Sequence, residues 1–403
     1  MKTKALFLLI ILSAGLSLYS QEITHWRGPS ANGCYPDKGL LKQWPESGPA
    51  LLWSYDELGQ GHSSVTVAGD AVFIPTMKDG TGYICKLTLD GKLVWKVPYG
   101  NEFTESFPGS RSSVTIAGDQ LYMLSGYGKL VCMSKADGKQ IWTASLVSDY
   151  DGDTITWGFT ETVVVDGDVL YCTPGGKVNN VIALNRHTGK LIWSSKGKGE
   201  LSAYCTPLLI TLPECRILVT HTQSSILGID IKDGKLLWSY PHPNEWSVHP
   251  NTPLYNNGMV FCYSGYGQGG VMLKLENGGT SVTKVWSTKN LDPRVGGAVA
   301  VNGYIYGSGD YNRAWQCLDW NTGEEKYSAT DIAKGDVIYA DGMLYCYSER
   351  GELALVPATP SGFKVVSKIK ITKGSEQHWA IPVIHNGVLY IHHGSSLMAY
   401  EIK

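Results

Sequence analysis

The hexapeptide DGKLVW at residues 90–95 returns as DGKQIW at 137–142, TGKLIW at 188–193 and DGKLLW at 233–238. Aligned on its last residue, the repeat runs through Trp53, Trp95, Trp142, Trp193, Trp238 and Trp286, with Tyr327 and Val366 in the same register. Steps of this length, roughly 40 to 50 residues, belong to propeller blades or helical arrays. The intervening sequence decides between them. Stretches such as SSVTIAGDQLYML (112–124) and GKLVCMSKADGKQIWTASL (128–146) are short alternating segments closed by glycine turns, the pattern of β-strands and not of amphipathic helices. Each unit is therefore expected to be a four-stranded antiparallel meander.

Seven meanders end at the register positions from Trp95 to Val366. The last stretch, HWAIPVIHNGVLYIHHGSSLMAYEIK (378–403), supplies three further strands. The missing fourth is ALLWSY at 50–55, whose Trp53 is in register but has no meander before it. The fold expected is an all-β, eight-bladed propeller. Its last blade is closed by the N-terminal strand, which removes the free edges that invite aggregation. A blade cannot bury its faces alone, so each repeat Trp is expected to pack on the next blade.

VIALNRHTGKLIW (181–193) and LGIDIKDGKLLW (227–238) resemble the docking repeat of the PQQ-like, quinoprotein alcohol dehydrogenase-like propellers. HWRGPSANG (25–33) and GLLKQWPESGPALLW (39–53) are similar to the N-termini of exported bacterial members related to the β-barrel assembly propeller lipoprotein. The resemblance implies the same fold across residues 21–403. It is poor for activity, because the fold hosts enzymes, scaffolds and binding proteins alike. Dehydrogenases of the family carry an adjacent Cys-Cys pair beside the quinone; no such pair occurs here. PQQ is therefore not expected and a non-catalytic role is favoured.

Lys2 and Lys4 precede an apolar run that ends in small polar residues near Ser20, the order of a secretory signal peptide over 1–20. The run is short for a membrane span. Periplasmic or secreted localisation follows, with residues 21–49 wrapping the propeller. A formal net charge of −2 gives no electrostatic reason to expect nucleic acid, and the chain is expected to be a monomer.

Nine cysteines in an exported chain raise the question of disulfides. Cys85, Cys132 and Cys317 lie ten residues before the register aromatic, where other blades have Ala183 and Gly228. Cys172, Cys262 and Cys346 end second strands. Equivalent slots in different blades are too far apart to bridge. Buried free thiols are expected, with Cys205 and Cys215 the one pair left open.

In such meanders one face carries tight turns and the other carries the long loops, where function usually resides. Seven residues before each first-turn glycine stand His62, Arg111, Thr160, Cys205, Asn251, Gly296, Gly335 and Ala380; two residues earlier in three blades come His249, Arg294 and His378. With Trp157, Tyr204 and Trp379 these describe a funnel of cations, hydrogen-bonding groups and aromatic faces suited to a polar ligand. Arg111 and Arg294, four blades apart, are expected to face each other across the axis. Calcium is the one metal left open, at Asp149, Asp151 and Asp153 in DYDGDT. The glycine of that loop stands at its fourth position, where a calcium loop needs it at the sixth. No other cofactor is expected.

The leading functional expectation is an exported binding platform for a protein partner or a carbohydrate-like ligand. The alternatives are an oxidoreductase-like enzyme acting on a sugar or alcohol in the funnel, and a scaffold in outer-membrane protein assembly.

Overall fold

The computed structural model describes residues 22–295 and 297–403; the signal peptide expected at 1–20 lies outside the described residues, as do Gln21 and Gly296. Eight sheets form a ring, each built on four antiparallel strands in meander order, with a fifth strand added to one of them. Blades one to seven span residues 66–101, 115–145, 164–195, 208–241, 254–288, 299–329 and 335–370. Blade eight takes Val383–His385, Val388–His393 and Ser396–Glu401, and is completed by Ala50–Tyr55, which pairs antiparallel with Ser396–Glu401 from Ala50↔Glu401 to Tyr55↔Leu397. The eight-bladed ring and its closure are as the sequence led us to expect. No helix among the described residues is long and apolar enough to cross a membrane.

The repeat tryptophan explains the recurrence. Each indole crosses to the next blade and donates its Nε1–H to a backbone carbonyl in that blade's last turn: Trp53 to Leu89 (2.8 Å), Trp95 to Ala136 (2.9 Å), Trp142 to Arg186 (2.8 Å), Trp193 to Ile231 (2.8 Å), Trp238 to Gly279 (3.1 Å) and Trp286 to Trp320 (3.1 Å). The glycine of the next hexapeptide is the seat. A Cβ on Gly234 would come within 2.5 Å of the Trp193 ring, and its φ of +77° is one that side chains rarely adopt. The two halves of DGKLLW thus serve different interfaces: Gly receives the preceding blade and Trp reaches the following one.

Trp193 is 9% exposed. Trp193→Ala is expected to cost about 3–5 kcal/mol, as large-to-small core replacements of aromatics do, whereas Trp193→Phe keeps much of the ring and loses only the hydrogen bond, about 1 kcal/mol beyond the lost area. Urea denaturation of both variants checks this; a loss below 1 kcal/mol for Trp193→Ala would show that the indole does not hold the blades together.

A second set of cross-blade bonds rings the channel. Innermost strands of neighbouring blades are too splayed to pair, and side-chain hydroxyls bridge them instead. The Ser64 amide donates to Ser113 Oγ (3.0 Å), the Ser113 amide to Thr162 Oγ1 (3.0 Å) and the Thr162 amide to Thr206 Oγ1 (2.9 Å). One row lower, Thr66 Oγ1 donates to the Val114 carbonyl and Thr115 Oγ1 to that of Val163.

Three expectations need correction. In blade seven the residue at the tryptophan position, paired with Leu355 as Trp193 is with Ala183, is Ser367 and not Val366, and no bulge shifts the register there as it does beside the Trp in other blades. Cys85 is one place out of the slot of Cys132 and Cys317. It pairs with Lys96, and Lys86 faces Trp95, because the last turn of blade one is a residue shorter than that of blade two. Cys262 and Cys346 lie inside their strands and not at the ends. All nine cysteines are free, Cys205 and Cys215 included.

The N-terminal segment does more than wrap. Ile23 bridges to Ala117 in blade two, and the Arg27 guanidinium donates to the Ala298 carbonyl in blade six. Cys34–Tyr35 then lies parallel on the innermost strand of blade seven as a fifth strand. Residues 22–35 therefore cross the central channel on its tight-turn side. Trp26 is the plug: it lines the funnel above and the two cavities that flank the segment below.

Candidate functional site

On the loop-rich face the channel opens into a cavity of about 300 Å³ floored by Trp26. Six of the nine expected ligand residues line it: His62, Arg111, Trp157, Tyr204, Arg294 and Trp379. They sit on the chain just ahead of, or in the loops leading to, the innermost strands, so the rigid ring fixes them. The other three turn elsewhere. His249 is fully buried and donates Nε2–H to the Gln223 carbonyl, while its neighbours Val248 and Pro250 face the funnel. Asn251 is spent on the carbonyls of Pro293 (2.8 Å) and Tyr263 (3.4 Å). His378 stacks on His393 at 3.7 Å and its Nδ1 bonds the Tyr347 hydroxyl at 2.5 Å. Counting back from a turn glycine finds the right stretch of chain, but it cannot say which way a side chain in a non-strand segment points.

The two arginines are not equivalent. Arg294 Nη2 lies 3.4 Å from Glu349 and Nε 3.8 Å from Asp310, and Lys334 pairs with both carboxylates. Two cations thus meet two anions and that wall is electrically balanced. Arg111 has no carboxylate partner among the described residues. Its Nη2 donates to the Ser106 (2.7 Å) and Phe107 (2.6 Å) carbonyls, its guanidinium lies 4.6 Å over the Phe103 ring, and Nε is buried without a partner. Burial pushes its pKa down to about 10, against the pull of Glu102. The symmetric clamp expected from sequence is in fact one available cation opposite a neutralised one.

His62 lies behind Arg111, its ring 5.2 Å from Trp379. Neither ring nitrogen makes a hydrogen bond of good geometry, although the Phe107 and Pro108 carbonyls lie close. Burial first, and then the Arg111 charge, push its pKa down to about 3, so the imidazole is neutral. The walls are aromatic. Phe107 meets Trp379 edge-on at 4.8 Å on one side, and Trp157 contacts Tyr204 (6.2 Å) and Trp246 (6.1 Å) on the other. Tyr204 is held at φ +71°, a conformation that costs of order 1 kcal/mol or more. Its carbonyl accepts from Thr160 Oγ1 at 2.9 Å. Phe107, Trp26 and Tyr266 complete the funnel without having been expected; Phe107 lies in the FPGSR stretch that leads to Arg111, whereas nothing local marks Trp26 as a floor.

No carboxylate is among the residues lining this cavity. The buried acids lie elsewhere: Glu102 accepts from the Tyr99 hydroxyl and the Phe103 and Gly126 amides, and Glu161 from the Thr173 amide. The funnel therefore offers recognition groups and no general acid or base that titrates near neutrality. Nor are the three aspartates of DYDGDT gathered. Asp149 accepts from the Ser145 amide (2.8 Å), Asp151 from the Val178 and Asn179 amides (2.9 Å each), and Asp153 from the Thr154 amide (2.8 Å). Asp149 and Asp153 brace their own loop while Asp151 ties it to the loop at Val178 and Asn179, and among the described residues no group of three or more His, Cys, Asp or Glu is arranged for a metal.

Eight sheets, six of them docked by a tryptophan, with a loop-face funnel over a plugged channel, define a PQQ-like β-propeller. The chain belongs to the family described as outer membrane protein assembly factor BamB, whose model matches residues 35–152 and 80–328. A tetrathionate hydrolase of Acidithiobacillus ferrooxidans is 22% identical over 271 residues, 64% of this chain and 52% of that protein. The BamB of Shewanella oneidensis is 24% identical over 207 residues, 50% of this chain and 49% of that protein. The chain thus spans about half the length of these curated relatives. Among solved structures, BamB from Moraxella catarrhalis superposes with a TM-score of 0.64 at 12% identity, covering 88% of this chain and 99% of that one. A europium-containing methanol dehydrogenase gives 0.67 at 12% identity, covering 91% and 88%. At such identities the likeness is one of fold, and it reaches enzymes and assembly factors alike.

Proposed function

We propose that this chain is an exported, non-catalytic binding platform whose loop-face funnel receives a projecting group of a protein partner, an aromatic or apolar body ending in a carboxylate. The observation that carries this reading is Arg111: a guanidinium without a carboxylate partner, at an aromatic-walled cavity with a closed floor. Such a cation gains most from an anionic acceptor, because charge-assisted hydrogen bonds exceed neutral ones, while the aromatic faces supply contact area. The absence of carboxylates among the funnel residues favours binding over acid–base chemistry, and together with the missing Cys-Cys pair it favours a site used without quinone or calcium. Membership of a family described by outer membrane protein assembly supports a protein partner in the cell envelope over a saccharide.

Calorimetry with short peptides that display a carboxylate beside an aromatic side chain tests the reading. Arg111→Ala is expected to weaken binding by roughly 10- to 100-fold, the equivalent of one charged hydrogen bond of about 1.5–3 kcal/mol, with little change in melting temperature. Arg294→Ala is expected to do the reverse, since it strips a partner from Asp310 and Glu349. Peptides that bind equally well to wild type and Arg111→Ala, or no peptide binding at all, would refute it.

A further inference from the structure

The loops around the mouth of the funnel hold four aromatic rings in a row. Trp157 comes from the loop between blades two and three and Trp246 from that between blades four and five; Tyr266 and Tyr311 come from the loops that join the middle strands of blades five and six. Trp157 meets Trp246 at 6.1 Å and 68°, and Trp246 meets Tyr266 at 6.5 Å and 52°. Tyr311 continues the row, its ring lying on Gly267, where a Cβ would come within 2.6 Å of it. Trp246 is 51% and Tyr311 65% exposed. Large aromatic side chains left in water together mark an interaction surface.

The loops are built to hold these rings out. Asn244 Oδ1 accepts from the amides of Trp246 and Val248 (3.1 Å each), and its Nδ2 donates to the Val248 carbonyl (2.6 Å). The buried Asp292 carboxylate ties the other two loops together, accepting from the amides of Gly267 (2.8 Å), Asp310 (2.7 Å) and Tyr311 (3.4 Å). The loops of Trp246, Tyr266 and Tyr311 each carry a non-glycine residue at positive φ: Ser247 (+57°), Tyr266 (+59°) and Arg313 (+55°). Side chains rarely adopt that conformation, and it gathers at binding sites.

We propose that this row docks a proline-rich, extended segment of a protein partner, the stretch of chain next to the group that enters the funnel. The proposal rests on the binding reading above and names what else the partner must carry. Three features select this chemistry. Neighbouring rings are tilted by 52° and 68°, which makes grooves and not one flat shelf, and aromatic-lined grooves are where polyproline segments dock. All four rings stand on loops, so no open strand edge is offered to a partner strand. The polar tips can donate: the Trp246 indole N–H and the Tyr311 hydroxyl make no hydrogen bond among the described residues, and an indole N–H only donates. Proline has no N–H, and a polyproline helix leaves its carbonyls without internal partners. A surface that donates suits a backbone that accepts, and a helix already extended before it docks needs little further ordering.

Calorimetry with paired peptides tests it. Both carry one anchor, a carboxylate beside an aromatic side chain, extended on either side in turn by Pro-Pro-Ala-Pro-Pro or by Gly-Ser-Ala-Gly-Ser. The proline form should bind at least about 10-fold tighter, the worth of one well-placed interface side chain. Trp246→Ala and Tyr311→Ala should each erase most of that advantage, and Tyr311→Phe, which removes only the donor, should cut it by about 3-fold. All three should melt with the parent, since the rings are exposed. In Arg111→Ala both peptides should weaken alike and their ratio should stand, which separates the row from the funnel. Equal affinities, or a proline advantage that survives both alanine variants, overturns the proposal. If the anchor itself does not bind, the reading of the funnel fails and decaproline alone decides the row: a saturable change in tryptophan emission that Trp246→Ala abolishes supports it. No such change overturns it, as does a linear glucan oligosaccharide that binds through Trp246 where decaproline does not.

Discussion

A chain lacking residues 22–56 is expected not to reach the native ring. The deletion removes the fourth strand of blade eight and with it the pairing of Ala50–Tyr55 to Ser396–Glu401. It also removes the Trp53 bond to Leu89 that joins blade eight to blade one. Leu40 and Trp44, each 4% exposed, leave the core between blades seven and eight, and Arg27, 2% exposed, leaves the channel. Two buried hydrophobic side chains alone account for several kcal/mol, against a total stability of about 5–15 kcal/mol. The opened sheet would also present an unpaired edge. Circular dichroism and thermal melting of the truncated chain check this; a melting temperature equal to the parent's would mean that the ring does not depend on its closure.

The second large effect is loss of stability in acid. His62, His221, His242 and His249 all have pKa values lowered chiefly by burial, His62 and His242 to about 3 and His249 to about 4. The unfolded chain takes up their protons near 6.5, so their contribution is complete above that pH and is lost as pH falls toward about 4. Glu161, raised to about 8 by burial, and Asp336, raised well above its ordinary value for the same reason, act in the opposite sense. Their contribution is complete below the unfolded carboxyl range and is lost as pH rises through the folded value. His25, His378 and His392 are lowered by burial as well, and Glu102 and Asp292 are raised. Between pH 6.5 and 4.5 seven histidines therefore oppose four carboxyls, and the net effect is loss of stability as pH falls. Denaturant midpoints at pH 7.5, 6.5, 5.5 and 4.5, measured with chelator present, should fall steeply over the last two units. A flat profile would mean that these imidazoles are wetter than their burial implies.

The contrast between what the sequence made legible and what it hid has a physical basis. Strand periodicity, turn glycines and the repeated Trp are local signals, and each sits where its neighbours in sequence are also its neighbours in space. They were enough for the blade count, the closing strand and the tight-turn and loop-rich faces. The funnel depends on non-local partners. Nothing near Arg294 announces that Asp310 and Glu349, from the loops of two other blades, neutralise it together with Lys334. Val248, His249 and Pro250 are consecutive, yet two face the funnel and the third faces the core, because a segment outside a ladder has no period to set direction. Ser367 stands in place of Val366 at the repeat position for a related reason: a single bulge, present or absent, moves the register. The hydroxyl bridges of Ser113, Thr162 and Thr206 could have been noticed as Ser and Thr recurring ahead of the innermost strands, but their role emerges only once neighbouring blades lie side by side.

Closure by Ala50–Tyr55 also has a consequence in time. Its partner, Ser396–Glu401, is made after the strands of blades one to seven, so the strand that emerges early must wait, with Trp53 and Tyr55 uncovered, until that strand arrives. Blades one to seven can form in order as they appear; blade eight cannot. A chain interrupted anywhere before Ser396–Glu401 is left with a broken ring, so the last strand of blade eight is the condition for a finished surface.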